Sequence, residues 1–176
     1  MKSRDELAQT RAHGIVAELG VAAGNFSEVL LNVPDVKKVY SIDAWCGDRP
    51  LHNDNEFKAV LRRFEKYGEK SVVMRRTFEY AVVEFNQIFD FIYLDGYAHT
   101  GQGGLKTLMD WWDRLKPGGV FAGHDYAERW LQTKAVVHQF VHQKGLKFHI
   151  TGETECMEKG VYPSWYIYKK AAGNLP

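Results

Sequence analysis

Five short runs rich in β-branched and aromatic residues recur along this chain, and each is followed by a segment with helical spacing. They are GIVAELG (14–20), KKVYSIDAW (37–45), KSVVMRR (70–76), IFDFIYLDG (88–96) and GVFAGHDY (119–126). Strands that alternate with helices cannot pair by tight hairpins. They form a parallel sheet covered by helices on both faces. Between the runs, NFSEVLLNV closes near Pro34, and NEFKAVLRRFEKYG places Phe57, Val60, Leu61 and Phe64 on one helical face with Gly68 as its stop. TFEYAVVEF starts at Thr77, a good N-cap. A helix is expected from Leu105 to Leu115, stopped by Pro117 and the glycine pair, and ERWLQTKAVVHQFVHQKG reads as a long amphipathic helix.

After residue 145 the pattern changes. LKFHITGE and SWYIYKK are two strands with only a loop between them, which predicts an antiparallel pair. The expected fold is therefore α/β: a Rossmann-like three-layer sandwich whose seven-stranded, mostly parallel sheet ends in an antiparallel C-terminal hairpin. At 176 residues, with no repeat or linker, the chain reads as a single domain, 1–176.

Composition narrows the partners. The formal net charge is +1 and Lys and Arg form no stripe, which predicts no nucleic-acid partner. No apolar run approaches the length of a membrane span, and MKSRDELAQTR lacks the apolar core of a signal peptide. Cys46 and Cys156, far apart, suit reduced thiols in a cytoplasmic protein.

Ligands of open α/β sheets bind beyond the carboxyl ends of the strands. The residues there are Glu18 to Gly24, Asp43 to Trp45, Arg76 to Phe78, Asp95 to His99 and His124 to Tyr126. Acids and histidines recur at these ends. Gly20 and Gly24 remove side chains where the backbone must approach a ligand, or simply make a tight turn. A dinucleotide fold prefers G-x-G-x-x-G, whereas this turn is G-V-A-A-G with Glu18 ahead of it. A carboxylate there suits an ammonium or sulfonium group better than a pyrophosphate. Asp43, nineteen positions after Gly24, is spaced to accept both ribose hydroxyls of an adenosine ligand. Trp45 is either an adenine-stacking ring or a core aromatic, and Thr77 either borders adenine or caps a helix.

VAELGVAAGNFSEVLL, VYSIDAW and FDFIYLDGYAHTGQGGLKTLMDWWDRLKPGGVFAGHDY together resemble class I S-adenosylmethionine-dependent methyltransferases, most closely the small-molecule and sugar O-methyltransferase branch. The resemblance covers residues 4–126. It implies that Glu18, Gly20 and Gly24 line the methionine end of the cofactor and that Asp43 binds its ribose. It implies that Trp45, Arg76, Thr77 and Phe78 flank adenine, and that Asp95 sits under the reacting methyl group. In some relatives Asp95 and acids after the fifth strand hold a divalent cation such as Mg²⁺. This chain has His124-Asp125 where two acids are common, and histidine is a good ligand for Mn²⁺ or Fe²⁺.

A hydroxyl acceptor needs its proton removed, by a positioned base or by a metal that lowers its pKa. Asp95 and His99 are the expected catalytic residues, and Asp95, Asp125 and His124 the expected metal ligands. Side chains alternate along a strand, so Asp125 is ranked ahead of His124. His138, His142 and His149 are expected at the surface, and Trp111 and Trp112 in packing. The loops 46–56 and 154–165 are candidates to border the acceptor. The expected function is methylation of a hydroxylated small molecule or carbohydrate, alone or as a homodimer. The alternatives are an NAD(P)-binding oxidoreductase and a non-catalytic cofactor-binding module.

Overall fold

A computed structural model describes residues 1–47, 50–156 and 161–171. The sequence-predicted loops 46–56 and 154–165 fall partly outside these residues. The elements run α1 (Arg4–Arg11), β1 (Gly14–Leu19), α2 (Asn25–Leu31), β2 (Val36–Asp43), α3 (Asp54–Phe64) and β3 (Ser71–Arg75). They continue α4 (Phe78–Val82), β4 (Phe89–Leu94), α5 (Gly104–Trp112), β5 (Leu115–Gly123), α6 (Leu131–Lys144), β6 (His149–Ile150) and β7 (Trp165–Tyr168).

The sheet has seven strands in the order β3-β2-β1-β4-β5-β7-β6. β3, β2, β1, β4 and β5 are parallel, and β7 is antiparallel to both β5 and β6. The expected fold class is therefore the observed one. One core layer, around Val16, Phe26, Leu30, Val39, Phe64 and Tyr93, lies under α1, α2 and α3. The other, around Leu19, Ile42, Phe89, Trp111, Phe121, Phe140 and Trp165, lies under α4, α5 and α6. Trp111 and Trp112 are both buried, as packing residues should be.

Three local expectations are corrected. The fifth strand begins at Leu115 rather than at the glycine pair, and α5 ends at Trp112. Phe89 opposes Leu115 while Phe91 opposes Val120, so residues 116–119 bulge from the ladder. A bulge is where a strand tolerates proline and glycine. β6 is only two residues long: the Thr151 amide still bonds to Ser164 O opposite it, but the Ser164 amide turns to Thr151 Oγ1 and the Gly152 amide to Met1 O. Finally, the N-terminal segment forms a helix, α1, which the sequence reading left without structure. Ser3 Oγ caps it by accepting from the Glu6 amide at 3.2 Å.

The order of the strands creates the site. The chain leaves β1 toward β2 and β3 on one side, and β4 and β5 lie on the other, so the switch point falls between β1 and β4. Ladder bonds continue one residue past the strand ends. Gly20 N donates to Ile42 O at 2.9 Å, Asp95 N to Leu19 O at 2.7 Å, and His124 N to Leu94 O at 2.8 Å. Gly20, Asp95 and His124 are thereby fixed side by side on one rim.

Candidate active site

A cavity of about 780 Å³ opens at this rim. Of the sequence-predicted residues, Glu18, Gly20, Asp43, Thr77, Phe78, Asp95, His99 and Asp125 line it.

The turn after β1 carries less ligand geometry and more packing than its glycines suggested. Gly20 has φ +93°, and a Cβ there would stand 2.0 Å from the carbonyl oxygen of Asp95. Gly24 has φ +82°, and its Cβ would meet the Phe64 ring at 2.6 Å. Gly24 faces α3 and does not line the cavity. The glycines thus let the turn close on β4 and α3, which leaves its other face to the cavity, where Val21, Ala22 and Ala23 lie.

Asp43 organises this turn. Its Oδ2 accepts from the amides of Val21 at 2.7 Å and Ala22 at 3.0 Å. Its Oδ1 accepts from the Trp45 amide at 2.8 Å and lies 2.7 Å from His52 Nε2. Trp45 is fully buried within the first core layer, with Nε1 donating to Ala22 O and its ring against Phe57. Trp45 is therefore a core aromatic and not an adenine platform. Its φ of +46° turns the chain inward directly after β2. Arg76 also lies off the cavity: it is exposed and pairs with Glu84 at 3.5 Å. Thr77 both lines the cavity and caps α4, accepting from the Tyr80 amide.

Glu18 is 1% exposed, and Ser27 Oγ donates to its carboxylate, with Ser41 Oγ next in line at 2.8 Å. Burial holds its pKa well above the usual carboxylate range against the Ser27 bond, and the nearby Asp95 charge adds to the rise. An arriving cation would reverse that penalty.

Along the same rim, one ligand atom each from Asp95, His124 and Asp125 lies within 4.8 Å of the others. His124 Nδ1 is 2.9 Å from Asp125 Oδ1 and 3.6 Å from Asp95 Oδ1. The expected alternation, which would turn His124 away from Asp125, does not apply. β5 ends at Gly123, and Asp125 adopts φ +59°, which swings both side chains to one side. Burial opposes charge on His124, but Asp95 and Asp125 outweigh it and raise its pKa.

The donor set suits a divalent cation. Two carboxylates and an imidazole offer oxygen and nitrogen ligands to a borderline metal. Beside them, the Gln102 side chain is 1% exposed and gives its amide N–H to Asp125 Oδ2 at 3.3 Å, while its Oε1 is buried without a hydrogen-bond partner. His99 reaches the cavity from a 3₁₀ turn at Ala98–Thr100, with its ring edge-on to Trp130 at 4.7 Å and near Tyr97 at 5.0 Å.

Arg4, Asn25, Phe26 and Trp130 line the cavity from outside the strand-end segments and loops that the sequence marked. Arg4 enters from α1, and its Nη1 donates to Asp95 Oδ2 at 3.1 Å. The Ser3-x-x-Glu6 spacing is a helix-start signal that marks α1, although no sequence pattern marks where Arg4 points. Trp130 ends a 3₁₀ turn at Glu128–Trp130, while His52 and Tyr97 fall within the loop 46–56 and the Asp95–His99 segment that the sequence marked.

Among the described residues, no helix is long and apolar enough to cross a membrane, and Cys46 and Cys156 are free thiols.

A family model described as a methyltransferase domain matches residues 17–126. No curated protein matches the sequence. Among solved structures, the chain is similar to an rRNA methylase from Streptococcus thermophilus, at 15% identity and a TM-score of 0.67, covering 95% of this chain and 93% of that one. A Streptococcus mutans protein in complex with S-adenosylhomocysteine matches at 14% identity and a TM-score of 0.70, covering 94% of each chain. An S-adenosylmethionine-dependent O-methyltransferase from Thermotoga maritima matches at 15% identity and a TM-score of 0.62, covering 96% of this chain and 64% of that one.

Proposed function

The chain belongs to the methyltransferase-domain family, and on that premise we propose that it methylates a hydroxyl group of a small molecule or sugar, using S-adenosylmethionine. The observation that carries the reading is the two-sided cavity at the switch point. Glu18 and the Asp43-braced turn line one part of it, and Asp95 and Asp125 line another, with His124 clustered against these two acids.

When bound, S-adenosylmethionine supplies a methyl group on a good sulfonium leaving group. The protein's own part is to position and to deprotonate. Glu18 is placed for the ammonium of the methionine arm. Asp43, expected to accept the ribose hydroxyls, has both oxygens engaged by Val21, Ala22, Trp45 and His52 and instead braces the turn on the cofactor side, and Thr77 with Phe78 borders the adenine. Asp95 sits where the methionine wall meets the acceptor wall.

A divalent cation held by Asp95, His124 and Asp125 would lower the pKa of an acceptor hydroxyl. His124 keeps its Nδ1 against Asp125 and does not line the cavity, so it is assigned to the cation and not to the acceptor proton. His99 stands open to the cavity and is assigned the acceptor proton.

The test is binding followed by turnover. Calorimetry should show S-adenosylhomocysteine binding and no comparable NAD binding. A screen of glycans, phenols and ribosomal RNA with labelled methyl donor should label a hydroxylated small molecule. Tight NAD binding alone would return the oxidoreductase reading. Labelling of RNA alone would replace the small-molecule acceptor, in line with the rRNA methylase likeness. Cofactor binding without transfer to any acceptor would leave a non-catalytic module.

A further inference from the structure

Arg4 is the one arginine or lysine among the described residues that line the cavity. It comes from α1, outside the matched family segment of residues 17–126. Its guanidinium lies over the Phe26 ring, 5.0 Å from the centroid, and Nη1 donates to Asp95 Oδ2 at 3.1 Å. The side chain is 30% exposed, and it lines the cavity. α1 is held in place independently of this contact. Leu7 and Ala8 are fully buried, Ser3 caps the helix, and the Arg4 amide faces Glu153 Oε1 at 3.4 Å.

The end of the cavity that Arg4 enters is otherwise acidic, with Glu18 and Asp95 as its ionisable walls. Such an end receives an ammonium readily. It rejects a carboxylate unless a cation stands there too, and a methionine arm carries both groups on one carbon. Arginine suits the task because its planar fork meets a carboxylate with two parallel N–H donors.

Building on the cofactor reading, we infer that Arg4 binds the α-carboxylate of the methionine arm of S-adenosylmethionine, opposite the ammonium site at Glu18. Phe26 supports the guanidinium from below and fixes its height in the cavity. Asp95 holds it in place when the arm is absent. Arg4 is thus a residue that selects a cofactor with an intact amino-acid arm.

The experiment compares two ligands that differ only in the carboxylate: S-adenosylhomocysteine and its decarboxylated analogue. Each is titrated calorimetrically into the wild type, R4M and R4K. R4M keeps the stem over Phe26 and removes the charge.

R4M should weaken S-adenosylhomocysteine by about tenfold to a hundredfold and leave the decarboxylated analogue within about twofold, the spread expected of uncoupled groups. R4K should retain part of the affinity. Equal loss of both ligands in R4M overturns the inference, because Arg4 would then serve only the shape of the site. Unchanged S-adenosylhomocysteine affinity in R4M also overturns it, because the guanidinium would then serve Asp95 or the acceptor. A wild type that binds neither ligand removes the cofactor reading itself, and the inference falls with it.

Discussion

Gly20 faces Asp95 so closely that any side chain at Gly20 would collide with a backbone carbonyl, not with a movable group. The hypothetical Cβ stands 2.0 Å from Asp95 O, and φ is +93°. The left-handed backbone alone costs a non-glycine residue about 1–2 kcal/mol. The clash must also push apart the ends of β1 and β4, which are joined by the bond from Asp95 N to Leu19 O. Gly20→Ala should destabilise the fold by at least about 2 kcal/mol in urea unfolding. An unfolding midpoint equal to that of the wild type would contradict the close approach.

Asp43 is 4% exposed and spends both oxygens inside the protein. Asp43→Ala leaves the amides of Val21, Ala22 and Trp45 without their acceptor. Buried donors left unmet cost about 1–3 kcal/mol each, with partial relaxation. The variant should lose about 2–4 kcal/mol in urea unfolding, and Asp43→Asn, which keeps one oxygen, should lose less. Equal losses for the two variants would mean that the amides find other partners.

Glu18 gives a pH dependence of binding. Burial raises its pKa well above the usual range, so the unliganded carboxyl holds its proton longer than an exposed one. Pairing with an ammonium requires the charged form. Affinity for S-adenosylhomocysteine should therefore rise as pH rises toward the elevated pKa, with a proton released on binding. Calorimetry in buffers of different ionisation enthalpy reads that proton directly, and its absence would remove Glu18 from the ammonium site. The linkage for stability has the opposite sign. A raised carboxyl pKa contributes stability below its unfolded value and loses it as pH climbs.

Glu28 shifts the other way. Hydrogen bonds from Lys66 and then Arg63 lower its pKa from 4.5 to about 2. Arg63 Nε donates at 3.0 Å and Lys66 Nζ lies at 2.7 Å, which ties α2 to the last turn of α3 and the residues just past it. A depressed carboxyl pKa contributes stability above the unfolded value and loses it as pH falls through the folded one. The difference in Tm between wild type and Glu28→Gln should be full at pH above 4.5 and shrink toward pH 2. A constant difference across that window would show that the ion pairs add nothing.

Asp125→Asn tests the cation. Asp125 belongs to the acceptor wall, so cofactor affinity should change by less than about threefold, while methyl transfer falls by about tenfold or more, as losses of metal-site carboxylates do. Chelation should lower the wild-type rate in the same way. Full activity in both would leave proton removal to His99 alone.

The strand–helix alternation, the terminal strand pair and the positions of the ligand-facing turns were all readable from one-dimensional pattern. That pattern follows from burial on both faces of a parallel sheet, which leaves apolar runs in the sequence. The strand ends were readable for the same reason, so Glu18, Asp43, Asp95, His99 and Asp125 could be named. Trp45 and Arg76 were misplaced because spacing reports distance along the chain and not the direction of a side chain. Trp45 sits at φ +46° and turns into the core.

The sequence by itself determined the sheet, its order of elements and the rim on which a site had to form, since periodicity and turn chemistry are local. Only the tertiary structure decided what meets at that rim. Arg4 lies ninety-one positions from Asp95 and touches it because α1 packs beside α2. His124 joins Asp125 because one residue in the left-handed region breaks the alternation. A contact of Arg4's separation rests on how elements close on each other, which no local stretch of residues encodes.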